Sequence, residues 1–508
     1  MREKKNLLFC FEICSLCSIF ATENPKNQHR MKKSILSVVL TLVCMGVTAQ
    51  DDATLATRQQ QFAFDIFQKV IQNEKEGDNI CFSPLSASKA LSLVQNGADS
   101  NTLEELQTAL GFKGLSCEEV NRYNQQLTES LTSLPPFTYD PDGDLTESEA
   151  REQYEWEHPI CELANALWTK VGFSCYESFY ETLRTYYDAG IGSVDFCSQE
   201  GIDVINGWVN DKTHGLIPQI YDEPQDPLLL VVLANMLYFK GCWTHQFKTE
   251  NTKAGTFHQL DGSTVEADML NVVESFKTGK TDRFYTITLP YGNGKFTMTI
   301  FLPIKDVHLP VLTYADWKAS SGADSKYKYV HLQMPRFSIE GKYELKDVLA
   351  AIGIRDAFGG DADFSKMSSE NLYISRVFQS SKIGVDEIGT EAAAVTVVEM
   401  RKWTSPSPDM DFIIDRPFYF TIEADDAILF AGCVNQLQGN SDPQPSNILG
   451  DVNGDGSVTI SDVTMMVNYT LGEQKRNFIA TNADVNNDGI ISISDITDTV
   501  NIILGKGE

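Results

Sequence analysis

The sequence has few basic residues for its length. Its 508 residues include 41 Lys and Arg against 70 Asp and Glu, which gives a formal net charge of −29. Because nucleic acids and heparin-like polyanions require a basic surface, this balance argues against both as partners. Long apolar runs are missing too. None is long enough to span a bilayer, so we predict no transmembrane segment.

Cysteine and enzyme motifs are also scarce. The 11 cysteines are too few for a disulfide framework in so long a chain. Seven of them lie after residue 50, and we expect these to be mostly small buried apolar side chains, with one structural disulfide as the alternative. There is no G-x-S-x-G, H-E-x-x-H, P-loop or G-x-G-x-x-G motif. His214 and His331 are each candidates to pair with an acid, but a structural pairing is the expectation. These absences argue against an enzyme and make a hydrolase the least favoured class.

The first 49 residues have the pattern of a leader. Met31 and two lysines form a basic region, residues 34–46 form an apolar core, and residues 47–49 fit a small-residue cleavage site. We predict that 1–49 comprises an upstream extension and a signal peptide starting at Met31, and that the protein is secreted. A second apolar patch at residues 7–20 is an alternative leader.

Near the C-terminus, a twelve-residue pattern rich in Asp and Asn occurs twice, beginning at Asp451 and at Asp484. Side-chain oxygens at positions 1, 3 and 5, Gly at position 6 and a carboxylate at position 12 are typical of a calcium loop. We therefore predict two Ca²⁺ ions. The predicted ligands are Asp451, Asn453, Asp455, Ser457 and Asp462 in the first copy and Asp484, Asn486, Asp488, Ile490 and Asp495 in the second.

Both copies differ from an EF-hand, because position 12 is Asp and a helical pattern only follows the loop. Such loop–helix duplicates resemble the type I dockerin module of bacteria, here over residues 449–505 after a polar linker at 438–448. The resemblance implies docking to a cohesin-bearing scaffold protein, as in extracellular complexes of plant-wall enzymes such as the cellulosome. The residues that it places at the cohesin contact are Ile460, Ser461, Ile493 and Ser494.

Residues 55–437 form one large domain of mixed helical and strand patterns. Apolar residues at 62–71 predict an amphipathic first helix, and strand-like runs occur at 228–239, 284–290, 296–302, 329–334 and 418–423. The elements do not alternate strictly, which favours an α+β class with mainly antiparallel sheets. The acidic insertion at 135–160 is predicted to be a solvated loop.

The stretch 386–398 has an ambivalent composition. Its alternate residues from Thr390 to Val398 are small enough to enter a packed sheet, whereas the Glu-Ala-Ala-Ala sequence favours a helix. Gly389 and the β-branched run at 395–398 count against a stable helix. A polar segment, predicted to be an exposed loop, follows at 399–409.

This stretch resembles the reactive-loop hinge of inhibitory serpins, and matching motifs cover nearly all of 55–437. The resemblance implies a serpin fold with three β-sheets, about nine helices and an exposed reactive loop. The implied hinge residues are Glu387, Gly389, Thr390, Glu391, Ala392, Ala393 and Ala394. The implied shutter and breach residues are Ser83, Pro84, Ser86, Asn235, Trp243 and Gln379. Gln379 stands where the family usually has His, and it can still donate one hydrogen bond there.

The resemblance also implies a mechanism, in which a target protease forms an acyl-enzyme with the loop and the cleaved loop inserts into the large sheet. In serpins the reactive bond usually falls about 17 residues from the hinge glutamate. Counted from Glu387 as the first residue, the seventeenth is Trp403, so the resemblance implies a reactive bond between Trp403 and Thr404, which suits a chymotrypsin-like serine protease. Lys402 or Arg401 would suit a trypsin-like protease, and Met400 is a further alternative.

Two other functions keep the same fold. One is inhibition of a cysteine protease, which some family members perform. The other is a non-inhibitory scaffold or carrier with a calcium-dependent docking tag, although the small residues of the hinge argue against it.

Overall fold

The computed structural model describes residues 55–141, 145–304, 309–320, 322, 325–390, 407–437, 448–452, 458–470, 478–487 and 489–503. Twelve α-helices occur in these ranges. They are α1 (55–73), α2 (Pro84–Val94), α3 (Ser100–Ala109), α4 (Cys117–Thr132), α5 (Glu147–Glu157), α6 (Glu177–Tyr187), α7 (Gln199–Lys212), α8 (Tyr314–Ser320), α9 (Lys346–Ala351), α10 (Ile460–Thr470), α11 (Ala480–Ala483) and α12 (Ile493–Ile503).

Fifteen strands lie between Ile80 and Val434 in the same ranges. They are β1 (Ile80–Phe82), β2 (Ile160–Lys170), β3 (Gly190–Val194), β4 (Val231–Cys242), β5 (Lys253–His258), β6 (Thr264–Lys280), β7 (Phe284–Tyr291), β8 (Phe296–Pro303), β9 (Lys326–Pro335), β10 (Phe337–Glu344), β11 (Phe378–Val385), β12 (Gly389–Thr390), β13 (Met410–Ile413), β14 (Phe418–Ala424) and β15 (Ala427–Val434).

The strands form a six-stranded sheet and a nine-stranded sheet. The smaller has the order β10-β11-β12-β4-β2-β3, and the larger has the order β1-β15-β14-β8-β7-β6-β9-β13, with β5 paired to β6. The 17-residue strand β6 pairs with β5 and β9 along most of its length and with β7 only at its end. This long strand therefore joins two of the three expected sheets into one. Among the strand pairings of the described residues, only β2–β3 and β9–β13 are parallel, which confirms the α+β prediction.

Apolar side chains of the two sheets form the layer between them. Phe239 of β4, Ile339 of β10 and Ile383 of β11 belong to one buried cluster with side chains of β7, β8 and β14. A second cluster packs the first helix, α1, against the sheets, and Phe64, Ile66 and Phe67 of that helix are almost fully buried. The predicted amphipathic first helix is thus present.

Helix α7 covers the opposite face of the six-stranded sheet. Ile205 and Val209 of this helix pack with Trp168 of β2 and Met236 of β4. No helix in the described part of the chain is both long and apolar enough to cross a bilayer. The five buried cysteines carry free thiols, as their expected role as small apolar side chains requires: Cys81, Cys161, Cys175, Cys242 and Cys433.

The acidic insertion at 135–160 is not entirely a loop, and that prediction was wrong. Residues Glu147–Glu157 form α5, which begins with a capping box in which Thr146 and Glu149 bond each other's backbone N–H groups. The Thr-x-x-Glu signal is legible in the sequence. The surrounding Pro, Asp and Glu residues favour a loop, and the loop prediction rested on them.

The C-terminal segment is built on two helices. Helices α10 and α12 pack against each other, and Val452, Met466 and Ala483 form a small buried cluster with partly buried neighbours. Each helix begins at position 10 of one copy of the acidic repeat and extends beyond it, in agreement with the helical pattern after each loop.

Candidate functional site

The six-stranded sheet is held together between β11 and β4 by the two-residue strand β12. Gly389 pairs with Cys242 and Thr390 with Gly241 on one side, while Thr390 pairs with Val385 on the other. Among the described residues, no β-pairing joins β4 directly to β11 beyond this point. The sheet therefore consists of two halves that are connected through β12 at one end, which we call the hinge end.

A cavity of about 390 Å³ lies where the two halves separate. Its walls include residues 231–236 of β4, Gln379 at the start of β11, and Leu91 and Val94 of α2. Oδ1 of Asn235, in the cavity wall, is buried without a hydrogen-bond partner among the described residues, and so are the hydroxyls of Ser380 and Ser381, which follow the wall residue Gln379 along β11. Because buried polar atoms are nearly always paired, these three atoms indicate a place where the fold can accept further backbone or side-chain partners.

The residues of the predicted shutter meet at one edge of this cavity. Ser83 caps α2, since its hydroxyl accepts a hydrogen bond from the Ser86 backbone N–H at 3.1 Å, and Pro84 fills the first helical position. The side chain of Gln379 accepts from Ser83 N at 3.0 Å and donates to Ser83 O at 2.8 Å. Gln379 therefore makes two buried hydrogen bonds that tie β11 to the start of α2.

Asn235 extends this network across the sheet. Its amide donates to Oδ1 of Asn165 at 2.7 Å, and its backbone oxygen accepts from the Ser86 hydroxyl at 3.3 Å. The amide of Asn165 in turn donates to the backbone oxygen of Tyr187 at the end of α6. A change in the position of β4 is thereby coupled to α2, β2 and α6.

Trp243 anchors the hinge end. Its backbone N–H donates to the Ile388 oxygen at 2.8 Å and its indole Nε1–H to the Asp386 oxygen at 2.9 Å. The indole stacks on the Tyr291 ring with a centroid distance of 4.3 Å, and the Tyr291 hydroxyl lies 2.6 Å from Oγ1 of Thr390. Burial raises the pKa of Tyr291 far above its ordinary range, so the phenol keeps its proton.

A tight turn at 386–389 directs the chain from β11 into β12. The Asp386 carboxylate accepts hydrogen bonds from the backbone N–H groups of Ile388 and Gly389. Burial raises the pKa of Asp386, and these two hydrogen bonds partly oppose that rise. A Cβ atom on Gly389 would lie 1.9 Å from the Gly241 oxygen, so only glycine allows β12 to pair this closely with β4.

Glu387 is 6% exposed and is fixed by two side chains. Its Oε1 accepts from Arg336 at 2.6 Å and from the Thr252 hydroxyl at 2.8 Å, and its backbone oxygen accepts from Phe247 N. Burial alone would raise the pKa of Glu387, but the hydrogen bonds outweigh it, so the pKa lies below its ordinary value. The carboxylate is therefore charged at neutral pH and holds the turn in place.

The rest of the predicted hinge and the predicted reactive bond lie outside the described residues. These positions are Glu391, Ala392, Ala393, Ala394, Met400, Arg401, Lys402, Trp403 and Thr404.

Sequence reasoning missed several residues that build the site. Tyr291, Arg336 and Thr252 come from strands or turns far from the hinge in sequence, and Trp156 belongs to the insertion. Single aromatic or polar residues in strands carry no local signal of a tertiary contact. The capping box before α5 was the one usable signal.

The acidic repeats form the second candidate site. Asp462 and Asp495, at position 12 of the two copies, are fully buried. Asp462 accepts from the backbone N–H groups of Val452 and Thr459, and Asp495 from those of Asn486 and Ser492. Burial would raise the pKa of Asp495, but these hydrogen bonds lower it further than burial raises it. Each carboxylate thus closes its own loop.

The second loop has the backbone geometry that a calcium loop needs. The carboxylate of Asp484, at position 1, accepts from the N–H of Gly489, at position 6, where φ is +86°. Carboxylate and amide oxygens of this kind fit Ca²⁺. Within the described residues, no group of three His, Cys, Asp or Glu side chains is placed to hold a metal. Four predicted ligands lie outside those residues: Asn453, Asp455, Ser457 and Asp488.

The structure describes the side chains of two of the four predicted cohesin contacts. Ile493 at the start of α12 is 77% exposed, and Ser494 beside it is also exposed. Ile490, a predicted calcium ligand through its backbone, has a 68% exposed side chain. Ile460 and Ser461 begin α10, but their side chains lie outside the description.

The two candidate histidines both contact acids. His214 Nε2 lies 2.8 Å from Glu162 and joins the end of α7 to β2, and His331 Nδ1 lies 2.9 Å from Asp411 and joins β9 to β13. Each contact connects two elements of the fold, as expected for structural pairings.

Comparisons with known proteins agree with this architecture. A family model described as "Serpin (serine protease inhibitor)" matches residues 57–437, and one described as "Dockerin type I domain" matches residues 449–503. Human Serpin B11 is 31% identical over 75% of this chain and 98% of its own length, and bovine leukocyte elastase inhibitor is 30% identical over 74% and 98%. The crystal structure of Serpin48 from the insect Tenebrio molitor superimposes with a TM-score of 0.65 at 29% identity, covering 76% of this chain and 99% of that one.

Proposed function

The chain belongs to the serpin family, and on that premise we propose that it is a secreted suicide-substrate inhibitor of serine proteases. We further propose that its C-terminal dockerin module, loaded with two Ca²⁺ ions, tethers it to a cohesin-bearing scaffold protein in an extracellular complex. Under this proposal the chain has no turnover of its own, since the attacking protease supplies the catalytic groups.

The observation that carries the inhibitor proposal is the interrupted sheet with β12 at its hinge end. If the antiparallel register of Gly389 and Thr390 continues residue by residue, Thr396 comes opposite Asn235 on β4 and opposite Gln379 on β11. Met400 then comes opposite Val231, the first residue of β4. The ten residues from 391 to 400 would span about 33 Å of new strand.

Side-chain direction supports this insertion. Thr390 is fully buried and its hydroxyl contacts Tyr291 beneath the sheet. Because side chains alternate along a strand, residues 392, 394, 396 and 398 would face the same interior. They are Ala, Ala, Thr and Val, small enough to pack in a layer that the two sheets already fill. The residues that alternate with them, which include Glu391 and Glu399, would face outward.

The same register favours one reactive bond over its neighbours. The ladder of β4 ends at Val231, and Lys170 N on the adjacent strand still bonds the Leu230 oxygen. A bond after Met400 or Arg401 would leave the acylated residue opposite this end of the sheet, with the protease pressed against it. A bond between Trp403 and Thr404 leaves three residues as a tether, so we propose Trp403 and a chymotrypsin-like target, with Lys402 as the alternative.

The chemistry then follows from the strand geometry. The catalytic serine of the protease attacks the carbonyl carbon of Trp403 and releases the Thr404 amine, leaving an ester. Each new backbone hydrogen bond in the sheet contributes about 1 kcal/mol. Ten residues that bond on both sides therefore make insertion effectively irreversible. The inserted strand carries the ester away from the hinge end before water can cleave it.

Incubation with chymotrypsin and with trypsin tests this proposal. We expect an SDS-stable complex with chymotrypsin and a C-terminal fragment whose first residue is Thr404, identified by mass spectrometry. Trp403→Ala should abolish the chymotrypsin complex, whereas the matched variant Lys402→Ala should keep it. Cleavage by either protease without a stable complex would refute the inhibitor proposal and favour the non-inhibitory carrier, and a complex with a papain-like protease alone would favour the cysteine-protease alternative.

The tether is tested separately with a type I cohesin domain. We expect the full chain to bind it in the presence of Ca²⁺ and to release it when a chelator is added. Ile493→Asp changes a proposed contact side chain that is 77% exposed and should weaken binding. Val273→Asp, a change at an exposed apolar residue of β6, is the control that should leave binding intact.

A further inference from the structure

The acidic insertion between α4 and β2 contains an ordered, supported helix. Tyr154 of α5 packs edge-to-face on Phe137 at 5.6 Å between ring centroids and stacks on His158 at 4.3 Å. Its hydroxyl donates to the Pro135 oxygen. The Arg151 guanidinium lies 4.6 Å from the centre of the Phe137 ring. These contacts give α5 a fixed position although none of its residues is fully buried.

The end of this insertion lies directly against the hinge end of the six-stranded sheet. The indole Nε1–H of Trp156 donates to the backbone oxygen of Trp243 at 3.0 Å. The Glu157 oxygen accepts from Asn293 N at 2.9 Å, in the turn between β7 and β8. A Cβ atom on Gly292 in that turn would lie 2.5 Å from the same oxygen. The insertion therefore contacts both sheets at once.

Trp243 connects this contact to the hinge. Its N–H and indole N–H bind the oxygens of Ile388 and Asp386, and its own oxygen accepts from Trp156. One residue thus joins the turn before β12, the end of β4 and the insertion. Pro159 also lies close to Gly241 of β4, which is the residue that pairs with Thr390.

We propose that residues 145–159, which we call the breach brace, restrain the opening of the six-stranded sheet and so set the rate at which a further strand enters. The proposal rests on the proposed function, because it concerns the same sheet. Entry of residues beyond Thr390 requires β4 and β11 to separate, and any resulting movement of the end of β4 against the β7–β8 turn would strain the brace together with the direct hydrogen bond from Gly292 N to the Cys242 oxygen. The brace binds both, so its hydrogen bonds must break or follow the movement.

The test uses the full chain and a synthetic peptide with the sequence of residues 391–400. Uptake is followed by native gel electrophoresis and by the rise in melting temperature that a completed sheet gives. Trp156→Phe replaces the indole by a smaller aromatic ring without an N–H donor, and we expect uptake to become roughly fivefold faster, the factor that corresponds to one net hydrogen bond. Trp317→Phe is the matched control. It removes an indole bond to Glu423 in the nine-stranded sheet and should leave the uptake rate unchanged.

A second variant covers the case in which Trp156→Phe folds poorly. Tyr154→Ala removes the ring that supports α5 but leaves the Trp156 donor in place, so uptake should accelerate in the same direction. If the wild-type chain takes up no peptide, the proposed function fails. If the wild-type chain takes up the peptide but neither brace variant accelerates uptake beyond the Trp317→Phe control, the breach brace is overturned and the proposed function stands.

Discussion

Thr390 offers the sharpest test of strand insertion, because it is the last described residue of the hinge and is already in the sheet. Its side chain is fully buried between β4 and β11, and its hydroxyl lies 2.6 Å from that of Tyr291. A carboxylate at this position would lose its hydration without a cationic partner. We therefore expect Thr390→Glu to keep β12 out of the sheet and to prevent the loop from following it.

The size of the effect follows from the burial. Placing an unpaired charge in a dry, packed layer costs at least roughly 4 kcal/mol, which corresponds to about a thousandfold slower insertion. Thr390→Val only removes one hydrogen bond, worth about 1 kcal/mol, and should slow insertion about fivefold. Thr390→Ser keeps the hydroxyl and should behave almost like the wild type.

The assay is the stoichiometry of inhibition, which counts inhibitor molecules consumed per protease molecule trapped. Insertion competes with hydrolysis of the acyl-enzyme, so a thousandfold slower insertion should convert the chain from an inhibitor into a substrate that is cleaved at the same bond. The cleaved Thr390→Glu chain should also lack the increase in melting temperature that insertion produces. Thr390→Glu with a stoichiometry near one and a normal complex would refute the register and the insertion proposal together.

Three further predictions address the shutter, the hinge turn and the calcium loops. Gln379→Ala removes both buried hydrogen bonds to Ser83, so urea denaturation should show about 2–3 kcal/mol less stability, and an unchanged midpoint would contradict the shutter role. Glu387 has a lowered folded-state pKa, so its stabilisation is present above the ordinary Glu pKa of about 4.3 and is lost as pH falls through the lower folded value. The melting temperature of Glu387→Gln should therefore fall less than that of the wild type between about pH 5 and pH 3, and equal slopes would exclude this role. Asp495→Ala should reduce the calcium stoichiometry in calorimetry from two ions to one, whereas Asp498→Ala on the same helix should keep two; two ions in both variants would remove Asp495 from the ligand set.

Much of the fold is legible in the sequence because its signals are local. The predicted strand runs at 284–290 and 296–302 lie within β7 and β8, and that at 418–423 lies within β14. Their alternating or continuous apolar residues are read directly from the chain. The duplicated acidic pattern is equally local, since each copy contains its own predicted ligands and leads into its own helix.

The arrangement of the site could not be read in the same way. Nothing near Tyr291 or Arg336 in sequence indicates that they meet Thr390 and Glu387, because that proximity arises from the pairing order of strands that are distant in the chain. Strand β6 is similar. Its 17 residues carry no signal that they pair in two different regions. Their pairing merges two of the three expected sheets into one, and the sequence does not indicate this.

Among the described residues, β4 and β11 are joined only through β12, so most of the facing backbone of these two strands is left for an extended chain to bind, including a neighbouring copy's loop. In the described residues, contacts around the gap between β4 and β11 hold the two halves of the sheet together without adding a full strand between them. β12 occupies the hinge end, Gln379 and Asn235 tie the strands to α2, and Trp243 holds the turn that leads into β12. Each contact consists of a few hydrogen bonds. Together these bonds keep the two halves of the sheet in register, and each one is weak enough to break separately as a strand enters. Perturbing Thr390 blocks the strand that must enter, whereas perturbing Gln379 or Trp156 loosens the strands that must part, so the two kinds of variant should change the insertion rate in opposite directions.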